Sequence, residues 1–227
     1  MDNFNLPDLD IDFGNFDPQE ITSDETINAV LIVDISPSVD TYIKELNDAF
    51  KEFLEEMQRS HVAEKLMVSI IEFNEKINVR TGFQPISSID SKKIKFTPCG
   101  GGTALYDAVL YGITNAVNYR TNLENSGVNC KTLIFTITDG EDNSSQHSAV
   151  IVKNGLDAIL REEKNAFNFE TILFGVGNDA NFATAQKEMG IKHLAKIGNS
   201  GKEIRKMIGF ISASISQSSS ANSQVVF

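Results

Sequence analysis

Short apolar runs alternate along this chain with segments whose apolar residues recur every three or four positions. Residues 29–34 are an apolar run that ends in an aspartate, and residues 66–73 and 131–138 are further mainly apolar runs. Such runs are typical of parallel strands that are buried on both faces. Residues 41–58 instead carry one apolar stripe at helical spacing, which predicts an amphipathic helix.

The same alternation continues to the end of the chain. The tight turn at Glu75-Lys76 predicts that strand 77–80 pairs antiparallel with the strand before it, and residues 81–102 are predicted to be irregular. The other predicted elements are helices at 103–119, 147–163, 181–189 and 201–215 and strands at 169–176 and 193–197. The predicted class is therefore α/β: a doubly wound, mostly parallel six-stranded sheet with one antiparallel edge strand and helices on both faces.

Two segments of biased composition flank this predicted domain. Residues 1–26 contain eight acidic residues and no basic residue, and residues 213–227 are rich in serine. The predicted division is an acidic N-terminal arm at 1–26, one folded domain at 27–212 and a Ser-rich tail at 213–227. Within the arm, Asp8 to Phe13 alternates polar and apolar residues, which is typical of a strand that adds to a sheet edge of this chain or of a partner. Disorder is the alternative for this segment.

Charge and hydropathy exclude several classes of partner. The formal net charge is −11, so a phosphate backbone or an anionic membrane is an unfavourable partner. No apolar run approaches the roughly 18–20 residues that span a bilayer, and the N-terminus lacks a secretory signal pattern. The two cysteines, Cys99 and Cys130, are too few for a disulfide scaffold. We therefore expect a cytoplasmic protein with reduced thiols that binds neither nucleic acid nor membrane.

Polar groups capable of binding a metal follow three of the predicted elements. The sequence reads Asp-Ile-Ser-Pro-Ser at 34–38 after the first strand, Gly-Gly-Thr at 101–103 after the long loop, and Thr-Asp-Gly at 138–140 after the fourth strand. In open α/β sheets, ligands bind beyond the carboxyl ends of the strands. Two carboxylates and three hydroxyls would meet there, which is an oxygen set suited to Mg²⁺, Mn²⁺ or Ca²⁺. If the 34–38 loop is extended, its alternate side chains face one point.

Together these motifs resemble the metal-ion-dependent adhesion site (MIDAS) of von Willebrand factor type A (VWA) domains. The resemblance covers about residues 27–212, and the segments Gly-Gly-Thr-Ala-Leu-Tyr-Asp-Ala and Thr-Asp-Gly-Glu-Asp-Asn are similar to stand-alone bacterial members, including the tellurite-resistance type. One departure is Pro37, which stands where the family usually has glycine. The residues that match the five metal-site positions are Asp34, Ser36, Ser38, Thr103 and Asp139.

The resemblance implies a function in binding. A divalent cation, Mg²⁺ or alternatively Mn²⁺ or Ca²⁺, would be held at the site, and a Glu or Asp of a partner protein would fill its open coordination position. The expected function is a metal-dependent protein–protein adaptor, with an ATPase or an assembly neighbour as candidate partners. No catalytic residue and no organic cofactor is implied, and we expect that the chain is not an enzyme.

Other interpretations of the same residues stay open from the sequence. The chain could be a structural subunit of a larger assembly that uses its N-terminal arm and C-terminal tail, with the metal site structural or vestigial. The loops could be simple turns, with Thr103 capping the helix that follows. A metal-dependent hydrolase is disfavoured because no positioned nucleophile and base are recognisable. Glu141 and Asp142 are interpreted as a solvated rim rather than as groups that support the site.

Overall fold

A single β-sheet forms the centre of the protein. A computed structural model of the chain describes residues 25–161, 168–177 and 180–218. The strands of this part are β1 (Glu25–Asp34), β2 (Leu66–Phe73), β3 (Ile77–Pro85), β4 (Asn129–Thr138), β5 (Phe169–Val176) and β6 (His193–Ile197). They lie in the order β3-β2-β1-β4-β5-β6. The edge strand β3 pairs antiparallel with β2, and the other pairs are parallel.

Helices cover both faces of this sheet, which confirms the predicted class. They are α1 (Ile43–Gln58), α2 (Leu105–Asn125), α3 (Ala149–Leu160), α4 (Phe182–Met189) and α5 (Gly201–Gln217). Side chains of α1 and α5 pack on one face with Leu31 and Val33 of β1. Side chains of α2, α3 and α4 pack on the other face with Val30 and Ile32. Because both faces of β1 are buried, its sequence is a continuous apolar run.

Strand β3 is longer than the sequence predicted. The prediction ended it near Arg80 and made residues 81–102 irregular, but the strand continues to Pro85. Phe83 is buried in this extension, and its ring stacks on the ring of Tyr119 with centroids 4.2 Å apart. Pro85 is compatible with the strand because β3 lies at the edge of the sheet, where a missing backbone N–H is tolerated.

The folded part extends past both predicted boundaries. Strand β1 begins at Glu25, inside the predicted arm, and α5 continues to Gln217, beyond the predicted start of the Ser-rich tail. The serines of α5 are compatible with a helix because their hydroxyls bond to the preceding turn, as Ser214 does to the Phe210 carbonyl at 2.9 Å. Residues 1–24, which include the predicted Asp8–Phe13 strand, and residues 219–227 lie outside the described residues.

Most large hydrophobic residues of the described part are buried or half-buried. Among the described residues, the large hydrophobic residue that is exposed is Val150, with 58% of its surface accessible. None of the helices in the described ranges has the length and apolar character needed to cross a bilayer. Both cysteines are free thiols, as predicted; Cys99 is exposed and Cys130 is buried.

Candidate metal centre

The candidate site lies where β1 and β4 run side by side. Strands β2 and β3 extend the sheet on one side of this pair, and β5 and β6 extend it on the other. The chain therefore reverses its winding direction here, which is the switch point at which open α/β sheets bind ligands. Asp34 is the last residue of β1, and Thr138 is the last residue of β4. The Thr138 hydroxyl donates a hydrogen bond to Asp34 Oδ2 at 2.6 Å.

Hydrogen bonds join four of the five predicted metal ligands in series. Asp34 Oδ1 accepts from the backbone N–H of Ser36 at 2.8 Å. The hydroxyl oxygens of Ser36 and Ser38 lie 3.1 Å apart. The Ser38 hydroxyl then donates to Asp139 Oδ1 at 2.7 Å. The two carboxylates, one from each side of the switch point, are thus linked through the two serines.

The loop that carries the serines is not extended, and this part of the prediction is wrong. Residues Pro37–Thr41 form a short 3-10 helix, with Ser36 in an extended conformation just before it. Pro37 is the first helical residue, where a backbone N–H has no partner within the helix, so the ring removes no hydrogen bond there. The departure from the family's glycine is therefore compatible with the arrangement of Ser36 and Ser38.

Thr103, the fifth predicted ligand, lies on a neighbouring loop and is buried. Its backbone N–H donates to Asn143 Oδ1 at 2.8 Å, and its carbonyl accepts from the Asn143 backbone N–H at 3.0 Å. Its hydroxyl oxygen lies 3.7 Å from the point where a Cβ on Gly140 would stand, so it faces the turn that carries Asp139. The residue directly before α2 is Ala104, not Thr103, and the Ala104 side chain forms no capping hydrogen bond. These contacts disfavour the interpretation of Thr103 as a helix cap.

The Gly-Gly-Thr loop packs too closely against the Asp139 loop to accept a side chain at Gly102. A Cβ there would lie 1.9 Å from the Ser144 hydroxyl oxygen and 2.3 Å from Asn143 Oδ1. The same Asn143 oxygen holds the Thr103 backbone. By contrast, a Cβ on Gly100 would meet nothing within 4 Å. The requirement for glycine at 102 therefore comes from the contact between the two site loops.

Asp142 supports the site, and its interpretation as part of a solvated rim is wrong. Its carboxylate accepts from the backbone N–H of Tyr106 at 3.1 Å, in the first turn of α2, and from that of Ser145 at 3.3 Å. It therefore caps a helix from a distant loop. Glu141 is exposed, but its carboxylate accepts from the Asn181 backbone N–H at 2.8 Å, just before α4.

The sequence did not single out Asp107 as a structural anchor of the site. Its carboxylate accepts from the backbone N–H groups of Gln146 and His147, at 2.8 and 3.0 Å, and lies 2.8 Å from His147 Nδ1. The loop that follows Asp139 is thus fastened to α2 at a second point. An acidic residue in the first turn of α2 was the available signal, but only the tertiary contact gives it a partner.

The electrostatics of Asp34 fit a bound cation. Its side chain is 1% exposed. Burial raises the pKa of the Asp34 carboxyl, while hydrogen bonds from Thr138 and Ser36 act to lower it, and no cationic side chain of the described residues contributes. A buried carboxylate without a positive partner is unfavourable. A divalent ion beside Asp34 would supply the missing positive charge.

The donor chemistry also fits such an ion. The side chains that meet here offer carboxylate and hydroxyl oxygens, which Mg²⁺, Mn²⁺ and Ca²⁺ prefer. Within the described ranges there is no group of three or more His, Cys, Asp or Glu side chains placed to hold a metal. A site in this part of the protein would therefore need the serine and threonine hydroxyls as well as its two aspartates.

This order of strands, with helices on both faces of the sheet, is the fold of VWA domains. Among solved structures, the chain is similar to a von Willebrand factor type A protein from Catenulispora acidiphila, with a TM-score of 0.59 and 16% sequence identity over 85% of this chain and 43% of that one. It is also similar to proximal thread matrix protein 1 of the mussel byssus with a zinc-occupied MIDAS motif, with a TM-score of 0.58 and 15% identity over 83% and 45% of the two chains.

A third similar structure is the pilus adhesin SpaC from Lactobacillus rhamnosus GG, with a TM-score of 0.57 and 13% identity over 86% of this chain and 30% of that one. This chain thus spans less than half the length of each of these three proteins. No protein-family model matches the sequence, and no curated protein matches it. At these identities the similarity establishes the fold.

Proposed function

We propose that this protein is a metal-dependent protein-binding module of the VWA type. A divalent cation at the β1–β4 switch point would bind a Glu or Asp side chain of a partner protein. The observation that supports this most strongly is the series of hydrogen bonds from Asp34 to Asp139, which runs through the Ser36 backbone N–H and the hydroxyls of Ser36 and Ser38. The proposed ligands, directly or through water, are Asp34, Ser36, Ser38, Thr103 and Asp139.

Mg²⁺ is the proposed ion, with Mn²⁺ and Ca²⁺ as alternatives. The oxygen-only donor set favours these hard cations over zinc, although the mussel byssus protein holds zinc at its MIDAS. Two protein carboxylates roughly neutralise a divalent ion, so a further carboxylate from a partner still finds favourable local charge. The chain's own residues would hold and orient the ion, and the partner would complete its coordination.

Binding rather than catalysis is proposed because, within the described ranges, no general base is apparent beside the carboxylates. His147 Nδ1 lies 2.8 Å from Asp107 Oδ1. His193 Nε2 lies 3.0 Å from Glu170 Oε2 at the start of β5, away from the carboxyl ends of the strands. Protein partners are further supported by the similarity to a pilus adhesin and a byssus matrix protein. An adaptor role toward an ATPase and a cytoplasmic location stay predictions.

Ion binding is the first test of this proposal. Thermal melting of the full 227-residue chain would be followed in EDTA and in Mg²⁺ or Mn²⁺ for the natural protein, Asp139→Ala and the control Asp157→Ala. Asp157 pairs with Lys153 on the exposed surface of α3. We expect the ion to raise the melting temperature of the natural protein and of the control but not of Asp139→Ala, because a ligand that binds only the folded state stabilises it. Equal melting of all three proteins with and without the ion would refute the metal site.

Partner capture is the second test. The same three proteins would be used as bait in a native lysate, in Mg²⁺ and in EDTA. A partner that is lost in EDTA and with Asp139→Ala, but kept by Asp157→Ala, would then be tested with its acidic contact residue changed to the amide. Loss of binding with the amide supports carboxylate capture. A partner retained under all conditions would favour the structural-subunit alternative and move the function to another surface.

A further inference from the structure

The tyrosine that follows the serine loop has a buried hydroxyl without a partner. Tyr42 lies between the 3-10 helix and α1, and 1% of its surface is exposed. No side chain or backbone group of the described residues forms a hydrogen bond with its hydroxyl. A buried polar group left in this state destabilises a protein. Such a group in a tightly packed core requires an explanation.

Tyr42 directly follows the 3-10 helix Pro37–Thr41, which carries the proposed metal ligand Ser38. Burial raises the pKa of Tyr42, and the negative charges of Asp139 and Asp34 raise it further. Both of these residues are proposed metal ligands, one from each side of the switch point. The phenol oxygen is thus within electrostatic range of the two carboxylates that would face the ion.

Backbone hydrogen bonds and core packing together fix the position of Tyr42. Its N–H donates to the Val39 carbonyl at 3.0 Å, and its own carbonyl accepts from the Leu46 N–H at 3.0 Å. The ring belongs to the core that α1 and α5 form against the sheet. A ring held in this way has little freedom to turn its hydroxyl toward another partner.

We propose that Tyr42 is a positioning residue of the metal centre, whose hydroxyl gains its hydrogen-bond partner when a hydrated divalent cation is held between Asp34 and Asp139. This inference rests on the proposed function. The hydrogen bonds already described use Asp34 oxygens for Ser36 and Thr138, and an Asp139 oxygen for Ser38. The water that a Mg²⁺ or Mn²⁺ ion retains is a strong hydrogen-bond donor, so it can donate to the phenol oxygen. Groups that act in this way typically contribute 10- to 100-fold to metal affinity.

A second tyrosine supplies a matched control. Tyr119 is also 1% exposed, and its hydroxyl also lacks a partner among the described residues. Its ring stacks on Phe83 of the edge strand. Burial and then the charge of Cys130 raise the pKa of Tyr119, and the site aspartates do not contribute. Tyr42→Phe and Tyr119→Phe therefore make the same chemical change, one directly after the helix that carries Ser38 and one in the core on the other face of the sheet.

Calorimetric titration of the full chain with Mn²⁺ tests the inference. We expect Tyr42→Phe to weaken Mn²⁺ binding by about tenfold and Tyr119→Phe to leave it unchanged. In EDTA, both variants should melt at or above the temperature of the natural protein, because each loses an unsatisfied buried hydroxyl. The contrast between ion-free stability and ion affinity separates a positioning role from a structural one.

The outcomes are distinguishable. Equal Mn²⁺ affinity of Tyr42→Phe and the natural protein would overturn the inference and leave the proposed function intact. A lower melting temperature of Tyr42→Phe in EDTA with unchanged affinity would also overturn it, since the hydroxyl would then act in the ion-free fold. Absence of Mn²⁺ binding by the natural protein would overturn the proposed function and the inference together.

A second measurement does not depend on the folding of any variant. The chain has four tyrosines, so ¹³C-labelled tyrosine gives a simple NMR spectrum of the natural protein. Saturation with diamagnetic Mg²⁺ should shift the Tyr42 signal of the carbon that bears the hydroxyl and leave the Tyr119 signal in place. An unshifted Tyr42 signal in a protein that has bound Mg²⁺ would contradict the inference.

Discussion

The Thr138 hydroxyl donates a 2.6 Å hydrogen bond to Asp34 Oδ2 although 104 positions separate the two residues. Both stand at the ends of adjacent parallel strands, and both are buried. The bond stabilises a carboxylate that has no cationic partner among the described residues. It therefore fixes the orientation of a proposed metal ligand at the point where the two halves of the sheet meet.

Replacement of Thr138 by valine tests the importance of this bond. Because a buried charged acceptor loses its donor, we expect Thr138→Val to lower the free energy of unfolding by about 1–3 kcal/mol at neutral pH. The control is Thr132→Val in the same strand, where the buried hydroxyl has no partner among the described residues and its removal should be nearly neutral. Chemical denaturation monitored by circular dichroism measures both changes. Equal losses in the two variants would contradict the role given to the bond.

The second prediction concerns the pH dependence of the ion-free protein. Burial raises the pKa of Asp34 in the folded state. A carboxyl group of this kind contributes stability below its unfolded-state pKa, near 3.9, and this contribution is lost as the pH rises through the folded-state pKa. Asp34→Asn should therefore melt at a higher temperature than the natural protein at pH 7 in EDTA.

This advantage should disappear as the pH falls through the raised pKa, because the natural carboxyl group then becomes neutral as well. In Mg²⁺ at pH 7 the order should reverse, since the neutral amide is a weaker ligand for a divalent ion than the charged carboxylate. Melting curves between pH 4 and pH 8, in EDTA and in Mg²⁺, provide the comparison. If Asp34→Asn is less stable than the natural protein in EDTA at pH 7, burial does not raise the pKa of the Asp34 carboxyl group.

The third prediction concerns the run of three glycines at 100–102. In Gly102→Ala, the new Cβ would displace the Ser144 and Asn143 side chains, and Asn143 holds the Thr103 backbone. We expect a loss of about 1–3 kcal/mol in stability from overpacking and weaker Mn²⁺ binding. Gly100→Ala, which meets nothing within 4 Å, should leave both unchanged. Titration calorimetry of the two variants would decide; normal Mn²⁺ affinity in Gly102→Ala would mean that the loop contact does not position Thr103.

The fourth prediction concerns the helix cap supplied by Asp142. Asp142→Ala removes the acceptor for the Tyr106 N–H, so we expect a loss of about 0.5–2 kcal/mol in the free energy of unfolding. Asp157→Ala, which breaks an exposed pair with Lys153, should cost about 0.5 kcal/mol or less. Urea denaturation in EDTA gives both values. If Asp142→Ala is no more destabilising than the control, Asp142 is a surface residue after all.

The sequence predicted the fold class because the periodicity of apolar residues follows directly from burial. A strand covered on both faces, such as β1, needs apolar side chains throughout, and a helix with one buried face, such as α1, needs a stripe. The extension of β3 was missed because an edge strand containing Pro85 lacks such a pattern. The continuation of α5 was missed because serine composition does not reveal that Ser214 bonds to the preceding helical turn.

By itself, the sequence supplied the chemistry of the candidate site: two aspartates and three hydroxyl residues, each just beyond an apolar run or a glycine-rich loop. The tertiary structure alone decided how they meet, since Ser38 contacts Asp139 only because β1 and β4 are neighbours in the sheet. It also decided that Asp142 caps α2 and that the Tyr42 hydroxyl is buried without a hydrogen-bond partner among the described residues. Residue spacing reports local periodicity, whereas hydrogen-bond partners and desolvation depend on segments that are distant in sequence and adjacent only after folding.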